Sequence, residues 1–428
     1  MRLGLYPLVI SEGSKQQFHI ESDWESIITK RRDIKTVTVR SSLDFLEGSD
    51  VEFTLTGKGL AFEYTPTCTG EHTVYLYREK DQRIWPENPY MEFRFYVTPE
   101  KFKGKFPFKG DLHLHSIYSD GREAPLLVAA ECREKGMDFA ALTDHHDYEA
   151  SLLAIKAAEE VDMDILLLKG EEISPHYGLG HIVSIGADRF LTSELVSDDV
   201  DYDYGDGMDG WLKGMEAKTA KMWEKYHGLF GEIPEGVHER MYTYFCGIIS
   251  EIRKAGGFAI FAHPYWPSTG AMDIFRKTAD FLLEKGHFDA LELMGDTGYQ
   301  KGFTFLNRFI KESDHPYVSS SDAHSQDNVA ERYSIIFTKS LTEETIKEAV
   351  LKKQCIAATK EKGDLVLFAD DPELQEFGYF LENNFFPKAE LLKKGQGIAY
   401  KTFLAGYTGD DSAFKKHLNE YYEKCFNW

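Results

Sequence analysis

From Asp111 onward, short apolar runs end again and again in His, Asp or Glu. DLHLHS, FAALTD, DILLLKGEEIS (164–174), GFAIFAHP (257–264) and PYVSSSDAH (316–324) share this form, and HIVSIGA (181–187) opens on His181. Their length and apolar content suit buried strands. Between them lie helical stretches with start and stop signals. APLLVAAECREKG (124–136) has Pro125 near its start and Gly136 at its stop, and EASLLAIKAAEE (149–160) follows FAALTD. FDALELM (288–294), the strand ERYSIIFT and the helix TEETIKEAVLKK continue the alternation. Strands alternating with helices predict an α/β unit around a parallel sheet, open or closed into a barrel. In barrel enzymes function resides at the strand C-terminal ends, where these polar residues fall.

Residues 1–105 have another rhythm. KTVTVR (35–40), VEFTLTG (51–57), EHTVYLYRE (71–79) and MEFRFYVT (91–98) alternate at period two between Gly, Pro, Asp and Ser clusters. That pattern predicts a small antiparallel β-sandwich-like domain. KFKGKFPFKG (101–110) reads as a linker, with Gly104, Pro107 and Gly110. The expected organisation is an N-terminal β-rich domain at 1–105 and an α/β unit at 110–360. Residues 188–250 insert into that unit as a loop or lid, and 361–428 form a mixed segment of helices packed on it. Within the insertion, SDDVDYDYGDGMDG (197–210) is rich in Asp. It is not an EF-hand: counted from Asp199, Tyr204 and Gly210 stand where Gly and Glu are required. It reads as a solvated acidic loop.

The length of 428 residues agrees with two or three domains. The net charge is −22, and such a surface repels phosphate backbones and anionic lipid. This argues against a nucleic-acid or membrane partner, while leaving room for a small anionic substrate at a local cationic site. Five widely spaced cysteines with no C-x-x-C give neither a disulfide framework nor a thiolate zinc site. With no signal-peptide pattern at the N-terminus and no apolar run of spanning length, a cytoplasmic location is expected.

The polar strand ends form a constellation. In DLHLH, His113 and His115 project to one side of a strand while Leu112 and Leu114 face the other. In SSDAH, Asp322 and His324 share a face in the same way. His145 and His146 end FAALTD, Glu171 and Glu172 close DILLLKG, His263 ends GFAIF, and Asp120 lies in the first loop. Each fragment alone is commonplace. Together they offer six imidazoles (His113, His115, His145, His181, His263, His324) and three carboxylates (Asp120, Glu172, Asp322). Nine ligands exceed one tetrahedral ion and suit two or three divalent ions with open positions. Nitrogen and oxygen donors without thiolate fit Zn, Mn or Fe.

These motifs, in this order, resemble the polymerase and histidinol phosphatase (PHP) superfamily. DLHLHSIYSDG, LTDHH, GEEIS, HIV, AHP and SSDAH are similar to its successive metal-binding motifs, over roughly residues 110–360. The resemblance implies a distorted (β/α)7 barrel with a trinuclear site. It implies that His113, His115, Glu172 and Asp322 hold one ion. Glu172 bridges to a second with His181 and His263, and Asp120, His145 and His324 hold the third. The family's G-x-E spacing selects Glu172 over Glu171. Many members carry Asn where this chain has His146.

The activity implied is a metal-dependent phosphoesterase or phosphatase, with a metal-bridging hydroxide attacking a small-molecule phosphate ester. His176 and His146 are the candidate proton donors, and Arg332 and Lys169 the candidate phosphate contacts. An alternative keeps the metals and changes the bond, to a carboxylic ester or carbamate, as in carbaryl-cleaving PHP-like hydrolases. Tyr265 and Trp266 would then line an aryl pocket. A non-enzymatic binding module would require lost ligands, and all nine positions are filled.

Overall fold

A computed structural model describes residues 3–13, 15–23, 34–43, 48–78, 89–174, 180–196, 207–264, 272–293, 314–361 and 363–428. The chain forms two compact units. One comprises Met1–Phe106, Asp371–Leu392 and Ser412–Trp428, the other Pro107–Asp370 and Lys393–Asp411. The stretch 361–428 is thus divided between them.

The larger unit is mixed α/β, and its strands are numbered here in chain order. They are β1 (Phe106–Leu114), β2 (Phe139–Leu142), β3 (Leu166–Leu168), β4 (Gly170–Ile173), β5 (His181–Ile185) and β6 (Phe258–Ala262). Then come β7 (Ala290–Glu292), β8 (Tyr317–Val318), β9 (Tyr333–Thr338), β10 (Cys355–Glu361) and β11 (Asp364–Phe368). They build a six-stranded sheet, β3-β2-β1-β9-β10-β11, and a five-stranded sheet, β4-β5-β6-β7-β8. Helices α1 (Pro125–Glu134) and α2 (Glu149–Glu160) connect β1 to β2 and β2 to β3, and those neighbours pair in parallel.

The sheets are not wholly parallel. β4 and β5 pair antiparallel, as do β5 and β6, β9 and β10, and β10 and β11. The 174–180 connection explains the first case, because a parallel crossover needs a dozen or more residues. Among the described residues the ladders make two separate sheets, not the one continuous (β/α)7 barrel that the resemblance implies. Two isolated bridges join them, Leu114 to Ala323 and His145 to Glu172. Beside each bridge stands a residue that cannot extend a ladder, Asp322 at φ 54° and His146 at φ 52°, whereas strands need φ near −120°. The expected single strand 164–174 is cut at Lys169, so that β3 and β4 belong to different sheets.

The expected linker at 101–110 is also replaced. Glu100–Phe102 form a 3₁₀ turn and Phe106–Gly110 begin β1. Phe106, Phe108 and Gly110 alternate with polar or ring-closed residues, which is strand periodicity. The 188–250 stretch contains helices Thr192–Leu195, Gly207–Lys218 and Ala220–Tyr226 and most of Glu239–Lys254; the acidic segment 197–206 lies outside the described residues.

The smaller unit is β-rich. A four-stranded sheet orders Leu3–Tyr6, Gln16–Ser22, Gly59–Tyr64 and Phe53–Leu55. A six-stranded sheet orders Phe426–Asn427, Val9–Ser11, Met91–Thr98, Gly70–Tyr77, Thr36–Ser41 and Ser49–Val51. Leu5, Phe18, Leu60 and Phe62 of the first and Val37, Val74, Leu76 and Phe95 of the second share one apolar core. Alternate burial along Gly70–Tyr77 shows why period two was legible there. Among the described residues, no helix is long and apolar enough to cross a membrane.

Candidate metal centre

β1 delivers His113 and, just past its end, His115. Their rings lie on one side with Nε2 atoms 3.2 Å apart, while Leu112 and Leu114 are fully buried in apolar clusters. The SSDAH segment docks beside them through its backbone. Asp322 N–H donates to the His113 carbonyl at 3.0 Å, and His115 N–H to the Ala323 carbonyl at 3.0 Å. The result places Asp322 Oδ1 3.3 Å from His113 Nε2 and 3.0 Å from His115 Nε2.

Glu172 on β4 is the hub, with no exposed surface. Its Oε2 lies 3.1 Å from His113 Nε2, 3.3 Å from His115 Nε2 and 3.0 Å from His145 Nδ1. Its Oε1 lies 2.5 Å from His181 Nδ1 and 3.1 Å from His263 Nε2. β5 runs against β6, so its first residue, His181, pairs with Ala262 at the end of β6. This register brings a strand start and a strand end to one rim. At the outer edge His324 Nε2 is 3.2 Å and His145 Nε2 3.7 Å from the Asp120 carboxylate. The structure therefore gathers all nine candidate ligands into one cluster. Donor atoms close enough to share an ion include His113, His115, Glu172 and Asp322; His145, Glu172 and His181; and His115, Asp120, His145 and His324.

The other candidates fare differently. His146 Nε2 is engaged by Ser174, 2.7 Å from its carbonyl and 3.2 Å from its hydroxyl. Arg332 donates to the Ser321 carbonyl at 3.1 Å, so it braces the SSDAH segment. His176, Tyr265 and Trp266 lie outside the described residues. Glu171 faces away from Glu172, accepting the Leu191 and Thr192 amides at 2.7 and 3.1 Å.

Sequence reasoning passed over four supports. Asp111, fully buried, accepts the Ser321 amide at 3.0 Å and the Ala330 amide at 3.2 Å, tying β1 to the SSDAH segment. Asp144 accepts the Ser116 amide at 2.7 Å and the Ser119 hydroxyl at 2.7 Å, and Ser119 Oγ lies 3.3 Å from His115 Nδ1. Glu292, also fully buried, ends β7 beside His113 and His263. The available signal was an acidic residue within an otherwise apolar strand, as in FDALELM.

The electrostatics suit a cation. Burial alone would raise Glu172, but the rings of His181, His113 and His145 outweigh it and hold its carboxyl well below the usual range. Burial pushes His145 down to about 3, aided by His115 and His181 against the pull of Glu172, so its ring is neutral and able to ligate. Glu172 Oε2 is buried and, despite three ring nitrogens around it, accepts no hydrogen bond of good geometry. Two facing Nε2 atoms 3.2 Å apart and a buried carboxylate oxygen without a hydrogen-bond partner form a donor set that a divalent ion would satisfy. The residues therefore fit a metal. The backbone concurs: His263 and Asp322 hold positive φ values of 25° and 54°, strain of the kind that clusters at functional sites.

Comparison with known proteins finds a family model that matches the same segment. Residues 111–312 match the PHP domain. Asp322 and His324 lie beyond the matched span. No curated protein sequence matches the chain. Among solved structures, one similar protein is a two-domain chain from Bacteroides vulgatus containing a predicted PHP-like metal-dependent phosphoesterase. It is 19% identical, covers 60% of this chain and 66% of its own, and has a TM-score of 0.40. A candidate metal-dependent phosphoesterase from Bifidobacterium adolescentis is 19% identical over 56% of this chain and 94% of its own, with a TM-score of 0.34. A lesion-specific endonuclease from Pyrococcus furiosus is 16% identical over 58% of this chain and 56% of its own, with a TM-score of 0.36.

Proposed function

Because residues 111–312 match the PHP domain, we propose that the chain is a metal-dependent hydrolase that cleaves a small-molecule phosphate ester. One observation carries the reading: five imidazoles surround the two oxygens of the buried Glu172 carboxylate. His113, His115, Glu172 and Asp322 would hold one divalent ion, Glu172 with His181 and His263 a second, and Asp120, His145 and His324 a third. Zn, Mn or Fe held there would supply Lewis acidity and lower the pKa of a water at the site.

The chain's own part is positioning and charge. Asp120, Glu172, Asp322 and the buried Glu292 supply four negative charges, so three divalent ions would leave the site cationic inside an acidic protein, which favours a small anion over a polyanion. His146, with Nε2 engaged by Ser174, can pass a proton to a leaving group only from Nδ1.

The test is metal quantification coupled to a phosphate-release screen over nucleotides, sugar phosphates and amino-alcohol phosphates. An aryl acetate and an aryl carbamate run alongside under the same metal loading. Phosphate release from a small ester is the expected result. Turnover confined to the acetate or carbamate would transfer the activity to carbonyl hydrolysis. Cleavage confined to oligonucleotides, with strong salt dependence, would transfer it to nucleic acid.

A further inference from the structure

Glu292 lies in the run FDALELM and outside the expected ligand set, yet it is a fully buried carboxylate against two of those ligands. It ends β7, adjacent to β6, whose last residue precedes His263. Its Oε1 lies 3.1 Å from His113 Nδ1, and its Oε2 accepts the His263 backbone amide at 3.0 Å. The two nitrogens of an imidazole point to opposite sides of the ring. His113 directs Nε2 at Glu172, Asp322 and His115, so the Nδ1 facing Glu292 lies behind the ring, away from the cluster.

We propose that Glu292 is a positioning residue that aims two metal ligands from different strands, an inference that rests on the metal-centre reading above. By accepting from Nδ1–H it holds His113 in the tautomer whose Nε2 lone pair faces the ion. By accepting from the His263 amide it holds the turn, at φ 25°, that carries the His263 ring to Glu172. Carboxylate–histidine–metal arrangements of this kind raise ligand basicity and fix ring orientation. His115 has a counterpart in Ser119, itself held by Asp144. Glu292 differs in serving two ligands at once. Both of its oxygens must be acceptors, which a carboxylate provides and an amide does not.

Glu292→Gln is therefore the discriminating variant: nearly isosteric, but with one acceptor replaced by a donor. Metal-free wild-type and variant proteins are titrated with Zn and with Mn against a competing chelator, and saturating stoichiometry is measured separately. The expected result is a 10- to 100-fold loss of affinity with unchanged stoichiometry, and a smaller loss for Glu292→Asp. Wild-type affinity in Glu292→Gln overturns the inference. Reduced stoichiometry at saturation also overturns it, because Glu292 would then be a ligand. Should Glu292→Gln fail to fold, the titration of Glu292→Asp decides in the same way. His113→Ala is the control. If it loses metal while Glu292→Gln binds normally, only this inference falls. If it retains full metal content, the metal-centre reading falls as well.

Discussion

Asp322 and His263 hold their side chains from backbone conformations that L residues rarely adopt. Their neighbours over-determine those conformations through the Asp322 amide on the His113 carbonyl and the His263 amide on Glu292. The scaffold is thus fixed by backbone and buried carboxylates, and an individual ligand side chain adds little to it. His113→Ala and Asp322→Ala are accordingly expected to lose metal content and turnover while far-ultraviolet circular dichroism stays unchanged. Full activity in either variant would refute the ligand assignment. Glu251 lies on the helix Glu239–Lys254. Burial would raise its carboxyl, but Tyr226, Lys254 and Lys225 bond to it and hold it down at about 2. A carboxyl depressed in the folded state stabilises it above the unfolded value near 4.3, and that contribution fades as pH falls toward about 2. The denaturant midpoint of Glu251→Gln should lie below the wild type at pH 7, with the gap closing as the pH drops through that window.

Among the elements, strand and helix identity followed sequence closely where punctuation was clear. The helix Glu149–Glu160 falls on its apolar pattern, and Glu343–Leu351 starts at Thr342, whose hydroxyl accepts the Thr345 amide. Sequence did not show how strands associate. β4, β5 and β6 read as members of a parallel sheet, and the short 174–180 connection reversed the first pair. Leu3–Tyr6, Val9–Ser11, Gln16–Ser22 and Gly59–Tyr64 gave weak signals because partners distant in sequence stabilise them. Close approach also depends on such partners. A Cβ on Gly110 would lie 2.1 Å from the Phe139 ring, and one on Gly397 2.3 Å from the Glu134 backbone nitrogen. Gly110→Ala is therefore expected to force β1 and β2 apart and to cost about 1–3 kcal/mol in denaturant unfolding, the usual range for overpacking. An unchanged midpoint would show that Phe139 can swing away freely.

For the molecule as a whole, the late segment 393–411 is tied into the larger unit by a buried polar network. Lys393, with no exposed surface, donates to Asp138 Oδ2 at 2.7 Å and to the Gly136 carbonyl at 3.1 Å. Arg133 joins Asp138 at 3.0 Å, Asp164 at 2.8 Å and Gln396 at 3.0 Å. Burial lowers the Lys393 ammonium against the pull of Asp138, so the pair persists only because each charge meets the other. Lys393→Ala should cost roughly 3 kcal/mol, near the lower end for breaking a buried pair because Arg133 still contacts Asp138. A loss under about 1 kcal/mol, the scale of exposed pairs, would mean that water replaces the lysine at no penalty.

By itself the sequence determined the alternation of strands and helices, the β-rich character of residues 1–105 and the identity of nine candidate ligands. Those are local properties: period, punctuation and residue type are carried within a few positions. Only the tertiary structure decided that the nine gather in one cluster, that the described ladders form two partly antiparallel sheets, and that Glu292, Asp111 and Asp144 stand behind the cluster. A carboxylate on an apolar strand marks a position in the sequence but does not name its partners. Its role appears when chain segments from Asp111 to Ala330 meet and each buried donor must find an acceptor.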